Sequence, residues 1–309
     1  MPFFRLLCLL LFEQKRRPKT VGRLVLKLAV IGDVHSAFDQ RDVDYFNRSD
    51  YDAVLCVGDL PGLRHSRAYD VAKMMSRVER PFFLIPGNHD ATTLNQLLAE
   101  LGGVGPLMTL GGRSQPERVG RLSDAIGKGR VVGYSWHDLG DDIGLIAARP
   151  HAMGKTLSFR TYLSQAFGVT SMKESAECLI RVIQACPHRR LVFLAHNGPT
   201  GLGGSPTDIW GCDFKADGGD WGDPDLEEAI HWARADGRDV LCVLAGHMHQ
   251  QTKQGKRRNW RVQADGIWYV NAARVPRIFK QDGQRMHHHI VVTWDGIETR
   301  VEENLVSLN

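Results

Sequence analysis

Six short apolar runs along the chain predict buried β-strands. They are rich in β-branched residues, most end abruptly in polar residues, and they cover residues 24–31, 53–57, 81–85, 191–195, 240–245 and 267–270. Continuous apolar runs of this length are typical of strands that are buried on both faces, as in a parallel sheet. The pattern therefore predicts a sheet in the interior of the protein.

Amphipathic helical patterns alternate with several of these runs. They cover residues 66–78, 92–101, 171–185 and 225–234. In the last of them Asp225 follows Pro224, and an acidic first turn suits the positive end of the helix dipole. Strands that alternate with helices predict an α/β fold with crossover connections between the strands.

The end of the chain shows a different pattern. Residues 288–294 and 297–301 flank Asp295-Gly296, which predicts an antiparallel hairpin with a two-residue turn at the end of the sheet. Two glycine-rich stretches, residues 102–112 and 198–222, are predicted to be long loops, and loops of that length are often functional.

The composition is that of an ordinary soluble globular protein, with 43% hydrophobic and 24% charged residues in 309. The formal net charge of +4 is too small a surplus to indicate nucleic-acid binding, although it is compatible with an anionic substrate. Six cysteines without any CxxC spacing favour a reducing, intracellular compartment, so we expect a cytoplasmic protein.

The first 22 residues are predicted to be an extension that precedes a domain of residues 23–309. Residues 2–12 are apolar apart from Arg5, too few to span a bilayer, and basic residues follow at positions 15, 16, 17 and 19. A secretory signal has the opposite order of charge and apolar core. Two interpretations stay open: residues 2–19 contact an anionic membrane surface, or the extension packs on the domain or frays.

Polar residues capable of binding metal follow five of the apolar runs. They are Asp33, His35, Asp59, Asn88, His89, His196, His247 and His249. A single aspartate of this kind is more often a turn or cap residue, but functional groups of α/β sheets gather beyond the carboxyl ends of the strands. Carboxylates and imidazoles without cysteine suit divalent first-row metals rather than a structural zinc site. Two pairs of residues two apart, Asp33 with His35 and His247 with His249, together with Asp59, Asn88 and His196, give seven potential ligands. Seven are too many for one ion and fit two ions that share a bridging carboxylate.

The same residues lie in five motifs that resemble the ordered motifs of the calcineurin-like metallophosphoesterase superfamily. The motifs are Gly32-Asp33-Val34-His35, Gly58-Asp59, Gly87-Asn88-His89-Asp90, His196 and Gly246-His247-Met248-His249. The resemblance implies an α/β double β-sandwich flanked by helices. It also implies that Asp33, His35 and His249 hold one metal. Asn88, His196 and His247 would hold the second, with Asp59 bridging the two.

The implied activity is divalent-metal-dependent hydrolysis of phosphate monoesters or diesters. Two ions would lower the pKa of a bridging water and aim the resulting hydroxide at phosphorus. His89 would bind no metal and would protonate the leaving group as general acid, with Asp90 as its orienting partner. We expect two divalent ions, Mn²⁺ first and Fe or Zn as alternatives, and a phosphate-ester substrate.

Two other functions are alternatives. A nuclease would need a basic groove with aromatic residues, which the sequence does not show. A metal-binding scaffold that has lost catalysis would have no need of a general acid, so an intact His89-Asp90 pair argues against it.

The motifs also depart from those of one branch of the superfamily. Asp59 is followed by Leu60-Pro61-Gly62 rather than Asp-Arg-Gly, and Asp90 stands where Ser/Thr protein phosphatases have Glu. The chain therefore resembles the broad bacterial-type branch rather than a phosphoprotein phosphatase. Residues 196–203 and 222–226 resemble a subgroup of the superfamily from cyanobacteria and plastid-bearing organisms. This narrower resemblance does not indicate a substrate.

Three arginines are candidate phosphate-binding residues. Arg149 lies in the stretch between Asp90 and His196, which would form a substrate-facing lid, and Arg274 and Arg277 follow the sixth strand. The tract of residues 287–289 resembles a metal site, but it opens a predicted strand in which alternate side chains diverge. The sequence does not determine the natural substrate, whether that substrate is a monoester or a diester, or the oligomeric state.

Overall fold

The computed structural model describes residues 25–62 and 65–308, so the expectations for residues 1–22, including membrane contact, lie outside the described residues. No helix in the described part is long and apolar enough to cross a membrane. The strands are β1 Leu26–Ile31, β2 Ala53–Cys56, β3 Phe82–Leu84, β4 Arg130–Val131, β5 Ser135–Gly140, β6 Ile143–Ala147, β7 Arg190–Leu194, β8 Asp239–Ala245, β9 Arg261–Ala264, β10 Ile267–Asn271, β11 Ile278–Gln281, β12 Gln284–Trp294 and β13 Thr299–Ser307. The helices are α1 Gln40–Arg48, α2 Ala68–Met75, α3 Leu94–Gly102, α4 Gly105–Arg113, α5 Gln115–Ile126, α6 Arg160–Phe167, α7 Met172–Ala185 and α8 Pro224–Ala235, with a 3₁₀ turn at His65–Arg67.

The strands form two mixed sheets. The first has the order β11-β12-β1-β2-β3-β4, with β13 also paired to β12, and its strands β1 to β4 are mutually parallel. The second has the order β5-β6-β7-β8-β10-β9, and its strands β6, β7, β8 and β10 are parallel. In each sheet, parallel neighbours therefore end at the same edge.

The hydrophobic core lies between the sheets and on their outer faces. Leu28, Val30 and Leu55 point towards the second sheet, and the alternate residues Ala29 and Val54 pack in a separate cluster with helices α1, α2 and α5. Helices α7 and α8 pack with the strands of the second sheet. The predicted double β-sandwich flanked by helices is confirmed.

The six predicted strands and four predicted helices are all present, with ends shifted by up to three residues. The C-terminal hairpin is also present, but its turn is shifted by one residue from the predicted Asp295-Gly296. The backbone N–H of Asp295 donates to the carbonyl of Glu298 at 3.2 Å, so Gly296 and Ile297 lie at the tip. The Asp295 carboxylate accepts hydrogen bonds from the backbone N–H groups of Ile297 and Glu298, which stabilises the turn at this position.

Of the two predictions of long glycine-rich loops, one is confirmed and one is wrong. Residues 198–222 contain no regular helix or strand, as predicted. Residues 102–112 were wrongly predicted to be a loop, because most of them form α4. A Cβ at Gly111 would collide with the side chain of Gln96, and one at Gly112 with Thr161. The glycines thus let α4 approach α3 and α6 closely, and this packing overrides their low helix propensity.

Strand β12 buries three consecutive histidines, and their contacts diverge as the sequence predicted. His288 contacts Glu303, whereas His289 lies on the other face and is 1% exposed. The Nε2 atom of His289 accepts a hydrogen bond from the hydroxyl of Tyr51 at 2.8 Å and another from the amide of Asn304 at 3.2 Å. Burial, aided by Arg277, lowers the pKa of His289 to about 3.

Because His289 is buried as a neutral imidazole, we expect acid to destabilise the protein already at pH values well above 3. His289 takes up a proton near pH 6.5 in the unfolded chain but stays neutral in the folded protein, so its stabilising contribution is complete above pH 6.5 and falls with pH towards 3. We expect the free energy of unfolding to fall by about 2 kcal/mol between pH 6.5 and about pH 5 because of this histidine, since one pH unit corresponds to roughly 1.4 kcal/mol. Urea unfolding in the presence of a chelator measures the loss.

His289→Gln is the matched variant, because its side-chain oxygen accepts the same two hydrogen bonds without titrating. We expect a shallower pH dependence than in the wild type. Equal pH dependence in both proteins would mean that His289 does not control acid stability.

Candidate metal centre

The carboxyl ends of β1, β2, β3, β7 and β8 meet between the two sheets and bring seven side chains together. Ligand atoms lie within 4.8 Å of one another in each of two groups, which are Asp33, His35 and His249, and Asp59, His196 and His247. Asn88 belongs to the second group, since its Oδ1 lies 2.9 Å from the Nε2 of His196. The loops that follow five strands thus converge on one place.

In the first group two imidazoles face a carboxylate. The Nε2 atoms of His35 and His249 are 3.2 Å apart, and the Nε2 of His249 is 3.3 Å from the Oδ2 of Asp33. The Nδ1 of His35 lies 3.0 Å from the carbonyl oxygen of Pro61 and donates to it. This contact selects the tautomer that leaves the Nε2 lone pair facing the group.

The second group is arranged in the same way around Asp59. The Nδ1 of His196 donates to the carbonyl of Val57 at 2.6 Å, while its Nε2 lies 3.6 Å from the Oδ1 of Asp59. The ring centroids of His196 and His247 are 5.1 Å apart. Backbone carbonyls therefore orient one histidine in each group, as is common for metal ligands.

The donor atoms fit two divalent ions. Imidazole nitrogens and carboxylate oxygens that converge within each group are the donors preferred by divalent first-row metals. Burial, with His196 close by, lowers the pKa of His247 to about 3, so this imidazole is neutral and competent to bind metal at neutral pH. Burial disfavours charge on Asp59, but the neighbouring imidazoles of His196 and His89 hold its pKa below the ordinary range.

The backbone at four of these candidate ligands adopts a left-handed conformation, which residues other than glycine rarely adopt. Asp33, His35, Asp59 and His247 all have positive φ, between 32° and 65°. Such strain costs free energy and is concentrated at functional sites. Gly246 adds a second constraint, because a Cβ there would collide with the carboxylate of Asp33. The loops are therefore shaped around the ligand side chains.

His89 and Asp90 follow Asn88 but lie in different environments. His89 is half-buried, its ring centroid lies 5.7 Å from that of His35, and its backbone N–H donates to the Oδ1 of Asp59 at 2.9 Å. The Asp90 carboxylate accepts hydrogen bonds from the backbone N–H groups of Asp59, Leu60 and Gly87, rather than from the ring of His89. Asp90 thus ties the loops after β2 and β3 together.

A third cluster, Asp39, Asp42 and His287, has ligand-like spacing but already contains cations. Arg277 forms two hydrogen bonds with the carboxylate of Asp42, at 2.9 and 3.0 Å, and Arg285 pairs with Asp39 at 2.8 Å. The negative charge in this cluster is neutralised by guanidinium groups. Arg277 itself is 1% exposed, which gives a phosphate no access to it.

Arg149 is also buried in an ion-pair network. Its Nε lies 2.8 Å from Asp225 and its guanidinium 3.0 Å from Asp223, and all three side chains are at most 2% exposed. Asp223 also accepts from Asn197, the residue after His196. The network thus anchors the long loop that follows β7, and the structure places this arginine among carboxylates rather than on an open surface.

Arg149→Met is expected to destabilise the protein by about 3–5 kcal/mol, because two buried carboxylates lose their partner. Arg190→Met is the matched control, since it breaks a partly exposed ion pair and should cost less than about 1 kcal/mol. Urea unfolding measures both. Wild-type stability with a raised KM would instead support phosphate binding by Arg149.

Arg274 is the most accessible of the three candidate arginines. It pairs with Glu303 at 3.5 Å, stacks over Phe279, and lines a cleft of about 350 Å³ whose lining includes Gln250, the residue after His249 in the sequence. Lys256 and Arg257 line the same cleft. An anionic group would find positive charge here.

Sequence reasoning gave His151 no role, yet the structure places it directly behind the centre. Its Nδ1 donates to the carbonyl of Gly87 at 2.7 Å, and its backbone N–H donates to Pro86. It therefore supports the loop that carries Asn88. No spacing pattern signals this contact, since 64 residues separate His151 from Gly87.

Comparison with known proteins agrees with this geometry. The sequence model of the calcineurin-like phosphoesterases matches residues 26–251, well over half of the chain. The chain belongs to the calcineurin-like phosphoesterase family. Membership agrees with the resemblance carried by the five motifs. Among curated proteins no sequence matches the chain.

One solved structure shows the same fold at low sequence identity, with a TM-score of 0.54 at 10% identity over 93% of this chain and 100% of the other. Two others are less similar. NAD nucleotidase from Haemophilus influenzae has a TM-score of 0.48 at 9% identity, covering 92% of this chain and 50% of that chain. An archaeal phosphodiesterase has a TM-score of 0.41 at 11% identity, covering 91% and 100% respectively.

Proposed function

We propose that this family member hydrolyses phosphate esters, monoesters or diesters, with two divalent metal ions. The observation that carries the proposal is the convergence of two ligand groups from five strand ends beside a half-buried histidine. Asp33, His35 and His249 would hold one ion, and Asn88, His196 and His247 the other, with Asp59 between them. Mn²⁺ is the expected ion, with Fe and Zn as alternatives.

The bound ions would supply a nucleophile at neutral pH and neutralise charge on the phosphoryl oxygens. His89 would donate a proton to the departing oxygen, since its side chain belongs to neither ligand group and is accessible from the surface. Asp90 would position this step indirectly, because its carboxylate holds the backbone N–H groups of Asp59, of Leu60 and of Gly87, the residue before Asn88. Arg274 would attract the anionic substrate to the cleft that it lines with Lys256 and Arg257.

Metal removal is the first test of this function. Protein stripped with a chelator is expected to hydrolyse neither p-nitrophenyl phosphate nor bis-p-nitrophenyl phosphate, and added Mn²⁺ is expected to restore turnover of at least one. Metal analysis should find two ions per chain. The ester that is preferred will decide between monoester and diester substrates. Two bound ions with no turnover of either ester would support a scaffold instead.

A further inference from the structure

Helices α3 and α4 expose an apolar surface that the proposed activity does not use. We call it the leucine surface, and it consists of Leu94, Leu98, Leu101, Val104, Leu107 and Leu110. These side chains are between 45% and 68% exposed. In the described part of the chain, the large apolar side chains with comparable exposure are otherwise Phe214 and Ile297. Exposed apolar residues are therefore concentrated in one segment.

The spacing of these residues shows an organised face. Leu94, Leu98 and Leu101 are separated by four and three residues, so they lie on one side of α3, while Gln96 and Ala99 on the opposite side and Leu97 at the border are buried. The helix thus has apolar residues towards the core and towards solvent. A face of this kind on a folded protein marks a contact with a partner or a membrane.

The charges around the leucine surface favour a membrane with anionic lipids. Residues 101–110 carry no charged side chain, and Glu100 is the one acidic residue of α3 and α4. Exposed Arg113 ends α4, and exposed Arg160 begins α6, which packs against α4 through Thr161 and Gly112. An apolar face with basic residues at its border is typical of segments that lie in the interface of an anionic bilayer.

The N-terminal sequence provides an independent reason to choose a membrane. Residues 2–12 are almost entirely apolar and a basic cluster follows them. A single weak membrane contact gives marginal binding, and stable attachment takes two. The leucine surface would be the second contact in the same chain.

We propose that the leucine surface docks on the surface of an anionic phospholipid bilayer. Leu94 follows His89 by five residues, so its Cα lies within about 19 Å of the Cα of His89. Docking therefore brings the metal centre close to the lipid headgroups. The proposal concerns binding and does not depend on the proposed catalytic activity.

The test is sedimentation of the full-length protein with vesicles made of equal parts of phosphatidylcholine and phosphatidylglycerol. We expect the wild type to sediment with these vesicles. A triple variant, Leu101→Gln with Leu107→Gln and Leu110→Gln, is expected to lower the bound fraction at least about tenfold. Its folding should be unaffected, because the three side chains are solvent-exposed.

Ile297→Gln is the matched control, since Ile297 is 96% exposed at the tip of the β12–β13 hairpin. It should sediment like the wild type. Arg113→Gln with Arg160→Gln should weaken binding to the anionic vesicles and leave binding to pure phosphatidylcholine vesicles unchanged.

Three results would overturn the proposal. The first is that the wild type does not bind the vesicles. The second is that the triple variant binds as well as the wild type, which would assign vesicle binding to another segment. Conversion of a wild-type dimer to a monomer by the triple variant, without an effect on vesicle binding, would assign the leucine surface to a second copy of the chain.

Discussion

Asp59→Asn is expected to abolish hydrolysis of phosphate esters, with a fall in kcat of at least about 10³-fold. Asp59 lies in the second group of candidate ligands, and its carboxylate is the one that we propose to bridge both ions. Stabilisation of transition-state charge by metal ions is worth several kcal/mol, which corresponds to about 10³-fold in rate. An amide keeps the size of the side chain but lacks the negative charge that binds the ions.

Metal content separates this explanation from a folding defect. The asparagine oxygen can still accept the hydrogen bond from the backbone N–H of His89, so the loop after β3 should keep its position. We expect normal thermal unfolding in the presence of chelator and fewer than two bound Mn²⁺ ions per chain. Asp265→Asn, which changes an exposed carboxylate, should retain both ions and full activity. Two ions and wild-type turnover in Asp59→Asn would refute the assigned role.

His89→Ala is expected to lower kcat by about 10²–10⁴-fold for esters with an alkyl leaving group. The physical reason is that an alkoxide departs poorly unless it is protonated as the bond breaks. For p-nitrophenyl phosphate, whose leaving group is a stable anion, we expect a fall of less than about tenfold. The measurement is kcat for both esters under the same conditions.

The metal content of His89→Ala should remain at two ions per chain, because its side chain belongs to neither ligand group. His231→Ala, which removes an exposed histidine on α8, should behave as the wild type on both esters. An equal fall for the two esters would mean that His89 positions the phosphate rather than protonating the leaving group. Loss of a metal ion in His89→Ala would identify His89 as a metal ligand.

The elements that were predicted correctly are those whose signal is local. A strand buried on both faces needs a continuous apolar run, so β1, β2, β3, β7, β8 and β10 are visible in the sequence. Helix α1 was missed because it is short and mostly polar, although a capping box formed by Asp39 and Asp42 marks its start. The edge strands β5, β9 and β11 are partly exposed and lack the apolar runs of the interior strands.

The candidate ligands could be chosen from the sequence for the same reason. Polar residues directly after buried strands must lie at strand ends, and parallel neighbours place those ends together. The grouping of the ligands and the role of His89 came from the resemblance to the family motifs. The structure brings the same candidate residues together in two groups, and their metal-binding and catalytic roles stay predictions until the variants are measured.

The sequence by itself determined the α/β class, the interior strands and the residues beyond their ends, because each depends on neighbours within a few positions. Only the tertiary structure decided which charges are available to a ligand. Arg149 meets Asp225 across 76 residues and Arg277 meets Asp42 across 235, so their burial depends on how the two sheets and their helices pack. The same packing holds the glycine-rich α4 in a helix and leaves the leucine surface exposed, because tertiary contacts outweigh local propensity.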